Sequence, residues 1–141
     1  MKKLGKPKKI IIHCSDSEWG TVEAVRSWHL ERDFDDIGYH FVILNGRITT
    51  KRTIIASDGA VCPGRSLDYQ AAHTFGHNKD SIGICLIGVK NFTEGQLYSC
   101  KELITDLLSI YPSITEIKGH RDYDNKKTCP NFDVLRMVVG E

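Results

Sequence analysis

The stretch Ser81-Ile-Gly-Ile-Cys-Leu-Ile-Gly88 is an uncharged, apolar run of the length of one strand. Such a run, with no alternation of polar and apolar residues, is typical of a central strand that is buried on both faces. A second run, Lys9-Ile-Ile-Ile-His-Cys14, is rich in β-branched residues and ends in polar ones, and it also predicts a buried strand. Two such strands indicate a sheet covered by helices.

The segments between and beyond these strands predict further elements. Tyr39 to Leu44 predicts a strand, and Asn45-Gly46 predicts a two-residue hairpin turn into Arg47 to Thr50. Thr93 precedes a long helical pattern that ends before Pro112. The other predicted elements are a helix capped by Ser17 or Thr21, a long loop over 51–79 with room for a short strand at 60–62, a strand over 114–119, a polar loop over 120–130 and a short helix over 132–139. This order predicts an α/β fold: one domain over 1–141, with a central mixed β-sheet flanked by helices.

Length and composition describe an ordinary globular chain. It has 141 residues and a formal net charge of +1, which argues neither for nor against a polyanionic partner. We expect no nucleic-acid partner. Its five cysteines are an odd number without a Cys-x-x-Cys pair, so a disulfide framework is not expected. Residues 1–8 are lysine-rich and predict a solvated, flexible terminus. No apolar run for a signal peptide or a membrane span is present, so we expect synthesis in the cytoplasm and no membrane insertion.

Two histidines and a cysteine stand where functional groups collect. His13 and His120 each follow a predicted strand directly, and Cys129 comes nine residues after His120. If the two strands are neighbours, two imidazoles and a thiolate converge and leave a fourth tetrahedral position open, as in a catalytic zinc site. On spacing alone, packed or hydrogen-bonded side chains remain the more common explanation for such residues.

At these positions the chain resembles the type 2 N-acetylmuramoyl-L-alanine amidases, a family that includes amidase-type phage endolysins and is akin to the peptidoglycan recognition proteins. The matching segments run in order over residues 10–135: Ile10-Ile-Ile-His-Cys-Ser15, Trp28-His29, Asp36-Ile-Gly-Tyr-His-Phe41, Gly64-Arg65, Ala72-His73, Asn78 with Ser81 to Gly88, Gly119-His-Arg-Asp122 and Lys127-Thr-Cys-Pro-Asn-Phe-Asp133. The resemblance implies one Zn²⁺ per chain, held by His13, His120 and Cys129.

The same resemblance implies an enzyme that hydrolyses the amide bond between N-acetylmuramic acid and L-alanine in peptidoglycan, with a water activated by zinc. Tyr39 resembles the residue that orients this water or the tetrahedral intermediate, and Lys127 resembles the residue that stabilises the oxyanion. His73 is expected to contact substrate or to support a metal ligand, although a structural role explains it equally well. Arg65 is expected to contact a substrate carboxylate, although a structural ion pair explains it equally well.

Several alternatives stay open at this stage. The chain could be a peptidoglycan-binding module without catalysis, although the presence of Cys129 disfavours this; it could also cut another acylated peptide, or bind a protein partner through the same fold. Residues 45–57 are expected to be an insertion beside the substrate groove. We expect a monomer that acts on the wall after release by phage or prophage lysis, or after export as an effector.

The remaining polar residues have more ordinary interpretations. Strand alternation places His40 and Cys14 in the core, and His29 is expected to pack on its helix. His77 is expected to be solvated. Asp133 either holds a ligand histidine or caps the last helix.

Overall fold

The computed structural model describes residues 1–140. The strands are β1 (Lys9–Cys14), β2 (Phe41–Ile43), β3 (Val61–Pro63), β4 (Ser81–Leu86) and β5 (Glu116–Gly119). The helices are α1 (Val22–Glu31), α2 (Glu94–Ile110) and α3 (Val134–Val139). Single turns of 3-10 helix are formed by Ile55–Ser57, Asn78–Asp80 and His120–Asp122.

The five strands form one mixed sheet in the order β3-β2-β4-β1-β5. β1 lies between β4 and β5 and is parallel to both, and β2 is parallel to β4. Only β3, at one edge, is antiparallel to its neighbour. The predicted α/β fold with a central mixed sheet is therefore confirmed, and the two apolar runs are its two central strands.

Helices cover both faces of the sheet, and each face has its own apolar core. One core joins side chains of β1 and β4, such as Ile12 and Ile84, to α2 and α3. The other joins Cys85 of β4 to α1 and to β2. Because side chains alternate between faces along a strand, His13 belongs to the α1 face, opposite to Ile12.

Helix α2 begins with a capping box. The Thr93 hydroxyl accepts a hydrogen bond from the Gln96 backbone N–H, and the Gln96 side chain accepts one from the Thr93 N–H. Gln96 is fully buried, and its Nε2 also donates to the carbonyls of Ile43 and Ile87. The helix follows Thr93 and ends before Pro112, as predicted. The polar Gln96 thus joins α2 to the sheet, a role that hydrophobic periodicity does not detect.

The hairpin predicted at Asn45-Gly46 is wrong. Residues 47–50 form no strand; Arg47 makes an isolated bridge with Thr53, and β2 pairs with β3 instead. Gly59 lies beside the end of β2 at the connection to β3, since the Gly59 N–H donates to Leu44 O at 2.7 Å. The segment after Gly46 instead turns back on itself, since the Ile48 N–H donates to Arg52 O at 2.9 Å and the Ile54 N–H donates to Gly46 O at 2.7 Å.

The N-terminal segment lies against the domain, which differs from the flexible terminus that its composition predicts. The lysine side chains at 2, 3, 6 and 8 are exposed as expected. The backbone, however, donates hydrogen bonds from Leu4 to Asp68 O, from Gly5 to Lys79 O and from Lys8 to Asp80 O. Among residues 1–140, no helix has the length and apolar character needed to cross a bilayer.

Candidate metal centre and its cleft

His13 and His120 lie side by side because the strands that carry them are parallel neighbours. His13 is the fifth residue of β1, and His120 follows β5 directly. The two ring centroids are 4.7 Å apart. His13 is 1% exposed, whereas His120 is half-buried. The expected convergence at the carboxyl ends of neighbouring strands is confirmed.

Cys129 returns to the same place from a loop that is tied to both strands. The Arg121 N–H donates to Cys129 O at 2.8 Å, and the Cys14 N–H donates to Cys129 Sγ at 2.9 Å. Gly119 makes the approach feasible, because a Cβ at that position would lie 2.7 Å from Pro130 Cδ. The cysteine is thus held by backbone contacts at the ends of β1 and β5.

The three side chains fit a metal ion. The nearest ligand atoms of His13, His120 and Cys129 all lie within 4.8 Å of one another. Burial lowers the pKa of His13 well below its ordinary value and also lowers the pKa of His120, so both imidazoles are neutral at pH 7 and have a lone pair to offer. Two nitrogens and one sulfur match zinc chemistry, and three protein ligands leave one position open for a catalytic role.

Tyr39 and Lys127 both line the cleft over this cluster. The Tyr39 ring centroid is 5.0 Å from that of His13. Burial, followed by the nearby thiols of Cys85 and Cys129, raises the pKa of Tyr39 well above its ordinary value, so its hydroxyl keeps its proton. Lys127 is exposed, and its charge contributes to the lowered pKa of His120.

His73 lies beside the cluster, whereas Arg65 does not. His73 is 8% exposed, and its Nδ1 is 2.8 Å from His13 Nε2. Arg65 is 6% exposed, and its three nitrogens donate to the carbonyls of Ile37, Gln70 and Asp36. Arg65 thus lies outside the cleft lining, and its guanidinium holds the loops around β2; a substrate contact by Arg65 stays a prediction.

The other histidines have mainly structural contacts. His40 and His29 are buried as expected: His40 bonds to Tyr69 O, and His29 Nδ1 accepts from the Gly38 N–H. His77 is not simply solvated, because it stacks on Tyr123 with ring centroids 4.4 Å apart. Asp133 caps α3 by accepting from the Arg136 N–H, which decides between its two alternatives.

Cys14 is buried, as alternation predicts, yet it also lines the cleft. Cys14 is 5% exposed, and alternation along β1 assigns it to the face opposite to His13. A hydrogen bond with the Cys129 thiol lowers the pKa of Cys14. The residue therefore contributes to the site mainly through the backbone N–H that contacts Cys129 Sγ.

The cleft has a volume of about 770 Å³, and its rim contains residues that the sequence did not single out. Arg32 lies over the Phe34 ring at 5.2 Å, just after α1. Phe75 is fully exposed in the loop that follows His73. The only local signals for a role in the cleft are that Arg32 directly follows α1 and that Phe75 lies close to His73 in the sequence.

Comparison with known proteins places the chain among cell-wall amidases. The model of the N-acetylmuramoyl-L-alanine amidase family matches residues 3–132. The endolysin of Enterobacteria phage K11 is 33% identical over 145 residues, which cover 94% of this chain and 87% of that protein. The endolysin of Escherichia phage T7 is 35% identical over 138 residues, which cover 90% and 82%.

Solved structures agree with this placement. The N-acetylmuramoyl-L-alanine amidase LysC from Clostridium intestinale URNW superposes with a TM-score of 0.81 at 27% identity, covering 95% of this chain and 84% of that one. The Apis mellifera protein PGRP-SA superposes with a TM-score of 0.80 over 99% of this chain and 86% of that one. Its identity of 24% shows a shared fold alone.

Proposed function

The chain belongs to the N-acetylmuramoyl-L-alanine amidase family, and on that premise we propose that it hydrolyses the amide bond between N-acetylmuramic acid and L-alanine in bacterial peptidoglycan, with zinc as its cofactor. The single observation that carries the proposal is the convergence of His13, His120 and Cys129 within 4.8 Å at the floor of the cleft. A zinc ion held there would act as a Lewis acid on the scissile carbonyl and would lower the pKa of water towards about 7.

The chain's own residues would complete the reaction around this metal. The Lys127 ammonium, at the rim beside His120, would stabilise the negative charge that develops on the carbonyl oxygen. Such a cation lowers the barrier because it interacts more strongly with the transition state than with the substrate. The Tyr39 hydroxyl, which remains protonated, would position the attacking water by hydrogen bonding.

Substrate is proposed to lie along the cleft, with the insertion as part of its wall. The cleft is lined by Ser15 and Asp16, which follow β1. The next residues of that loop are bonded to the segment 45–57: the Gly20 N–H donates to Arg47 O at 2.9 Å, and Arg47 pairs with Glu18 at 3.5 Å. These contacts support a role for the insertion in shaping the groove.

The biological setting follows from the endolysin relatives. We infer that the protein acts as a monomer on the cell wall after release, in phage or prophage lysis or as an exported effector, without binding nucleic acid or inserting in a membrane. The endolysins of phages K11 and T7 are both aligned over most of their length, which supports lysis as the first setting to test.

The decisive experiment measures bound zinc and the release of new L-alanine amino termini from purified peptidoglycan, before and after chelation. Stoichiometric zinc and chelator-sensitive release are expected. Cys129→Ala should lose both zinc and release. Cys62→Ala is the matched control, since Cys62 is a free cysteine on the edge strand β3, outside the cleft lining.

Each other result has a distinct meaning. Zinc binding without release would point to a binding role or to another acylated peptide as substrate. Release that survives full removal of the metal would refute zinc catalysis. Cys129→Ala with full activity would refute the ligand set.

A further inference from the structure

A chain of three buried side chains stands behind the candidate metal centre. His13 Nε2 is 2.8 Å from His73 Nδ1, and His73 Nε2 is 2.9 Å from Ser81 Oγ. His73 is 8% exposed and Ser81 is fully buried. The His13 and His73 rings meet edge to face, with centroids 4.9 Å apart and planes at 85°. Both ring nitrogens of His73 therefore have partners inside the protein.

The fold provides a dedicated socket for the His73 ring. It lies on Gly83 of β4, where an added Cβ would fall 2.8 Å from the ring atoms Cγ and Cδ2. The Asn78 side-chain oxygen accepts hydrogen bonds from the backbone N–H groups of His73 and Thr74 at 3.1 and 2.9 Å. Any side chain at position 83 would displace the ring, so glycine on the strand and asparagine in the loop act together to hold it.

The hydrogen bond to His73 decides which nitrogen of His13 is available to a metal. Because Nε2 is occupied by this bond, Nδ1 is the nitrogen left to face the metal. A metal-binding Nδ1 has no proton, so the proton of neutral His13 must be on Nε2. His13 is then the donor and His73 Nδ1 the acceptor, and the proton of His73 lies on Nε2, where Ser81 Oγ accepts it.

We propose that His73 is a positioning residue of the metal centre, which holds the His13 ring in orientation and in the tautomer that offers Nδ1 to the metal. This inference rests on the proposed function, because it needs a metal at His13. Of the two roles expected of His73, it selects the support of a metal ligand, through a hydrogen bond to His13. Metal-binding histidines depend on such partners, whose loss costs about 10–100-fold in metal affinity.

Two substitutions of His73 distinguish the hydrogen bond made by its Nδ1 from the one made by its Nε2. In His73→Asn the amide oxygen lies near the former Nδ1 position and can accept from His13. In His73→Gln the polar atoms lie near the former Nε2 position, so the contact with Ser81 is retained and the contact with His13 is lost. The dissociation constant for zinc, measured by competition with a chromogenic chelator, should rise about 10–100-fold in His73→Gln and stay near the wild-type value in His73→Asn.

A control and a second readout protect this test against a mere folding defect. Gln96→Leu alters a buried polar residue of α2, which bonds to the carbonyls of Ile43 and Ile87 and contacts neither a proposed ligand nor the His73 socket. It should destabilise the fold without weakening zinc binding. The visible spectrum of the cobalt-substituted protein should change in His73→Gln and not in Gln96→Leu. If His73→Gln fails to fold, Ser81→Ala is the substitute, because it retains the His73 ring. It should weaken zinc binding several-fold through loss of the hydrogen bond between His73 Nε2 and Ser81 Oγ.

The outcomes distinguish this inference from the proposed function. Wild-type protein that binds no zinc would overturn the proposed function and the inference with it. Wild-type zinc affinity in His73→Gln would overturn the inference alone, as would equal weakening in His73→Asn and His73→Gln. Loss in His73→Gln with retention in His73→Asn would establish the acceptor role of Nδ1.

Discussion

The acid sensitivity of the fold should depend on His29, a residue of α1 that holds the turn before β2. Its ring is 7% exposed, and its Nδ1 accepts the Gly38 N–H at 2.8 Å. Gly38 is held in place from its other side as well, because the Ala72 N–H donates to Gly38 O at 3.1 Å. A protonated ring would set a ring N–H against this backbone N–H. Burial, reinforced by the positive charges of Arg32 and Arg65, lowers the pKa of His29 to about 4.

The magnitude follows from the difference between the folded and unfolded pKa values. In the unfolded chain the ordinary value is 6.5, so below that pH the unfolded state binds a proton that the folded state excludes until about pH 4. The free energy of unfolding should therefore fall as the pH drops from 6.5 to about 4 and should level off below that. At about 1.36 kcal/mol per pKa unit the loss amounts to roughly 3 kcal/mol.

Urea denaturation at pH 7, 6, 5 and 4, followed by tryptophan fluorescence, measures this loss. Trp28 is the neighbour of His29 on α1 and reports on the same region. The comparison is with His29→Asn, which cannot titrate and whose amide oxygen can accept the Gly38 N–H. Chelator is present in both samples, so that metal release does not contribute. The wild-type protein should lose roughly 3 kcal/mol more than the variant between pH 7 and pH 4.

The comparison uses only the slope of the free energy of unfolding against pH, since His29→Asn also removes the packing of the ring and lowers stability at every pH. Parallel curves for the two proteins would refute the reasoning, because they would mean that His29 binds its proton as readily in the folded state as in the unfolded state. A larger loss in the variant would refute it equally.

Three further predictions concern stability, catalysis and metal binding. Gln96→Leu should lower the free energy of unfolding by about 2–4 kcal/mol in urea denaturation, because buried backbone groups lose their partner; a change below about 1 kcal/mol would contradict this. Lys127→Met should lower kcat by about 100–1,000-fold with zinc still bound, and an unchanged kcat would remove it from the mechanism. Gly119→Ala should weaken zinc binding in chelator competition, because the new methyl group meets Pro130 and shifts Cys129; unaltered affinity would show that the loop adapts.

Much of the fold was predictable because its signals are local. The β-branched run that ends at Cys14 became β1, and Thr93 with the helical pattern behind it became α2 with the predicted bounds. Capping and periodicity act over a few residues, so they can be read without knowledge of the rest of the chain. The positions of His13 and His120 after strands belong to the same class of signal.

Local signals were insufficient where a residue's partner is distant in sequence. The Asn45-Gly46 turn is a strong local signal, yet β2 pairs with Val61–Pro63, a segment well beyond that turn in the sequence. Arg65 has the side chain of a carboxylate binder, but three loop carbonyls surround it. No pattern in the sequence around Arg65 predicts that these carbonyls would accept its hydrogen bonds.

The sequence by itself determined the α/β fold, the order of its main elements and, through an ordered set of family motifs, the three candidate ligands. The tertiary structure alone decided that β1 and β5 are neighbours, that Cys129 meets His13 and His120 within 4.8 Å, and that His73 stands behind His13. The division has a physical reason: secondary structure reflects short-range backbone and side-chain preferences, whereas a site is made of contacts between residues more than a hundred positions apart, and only packing brings those together.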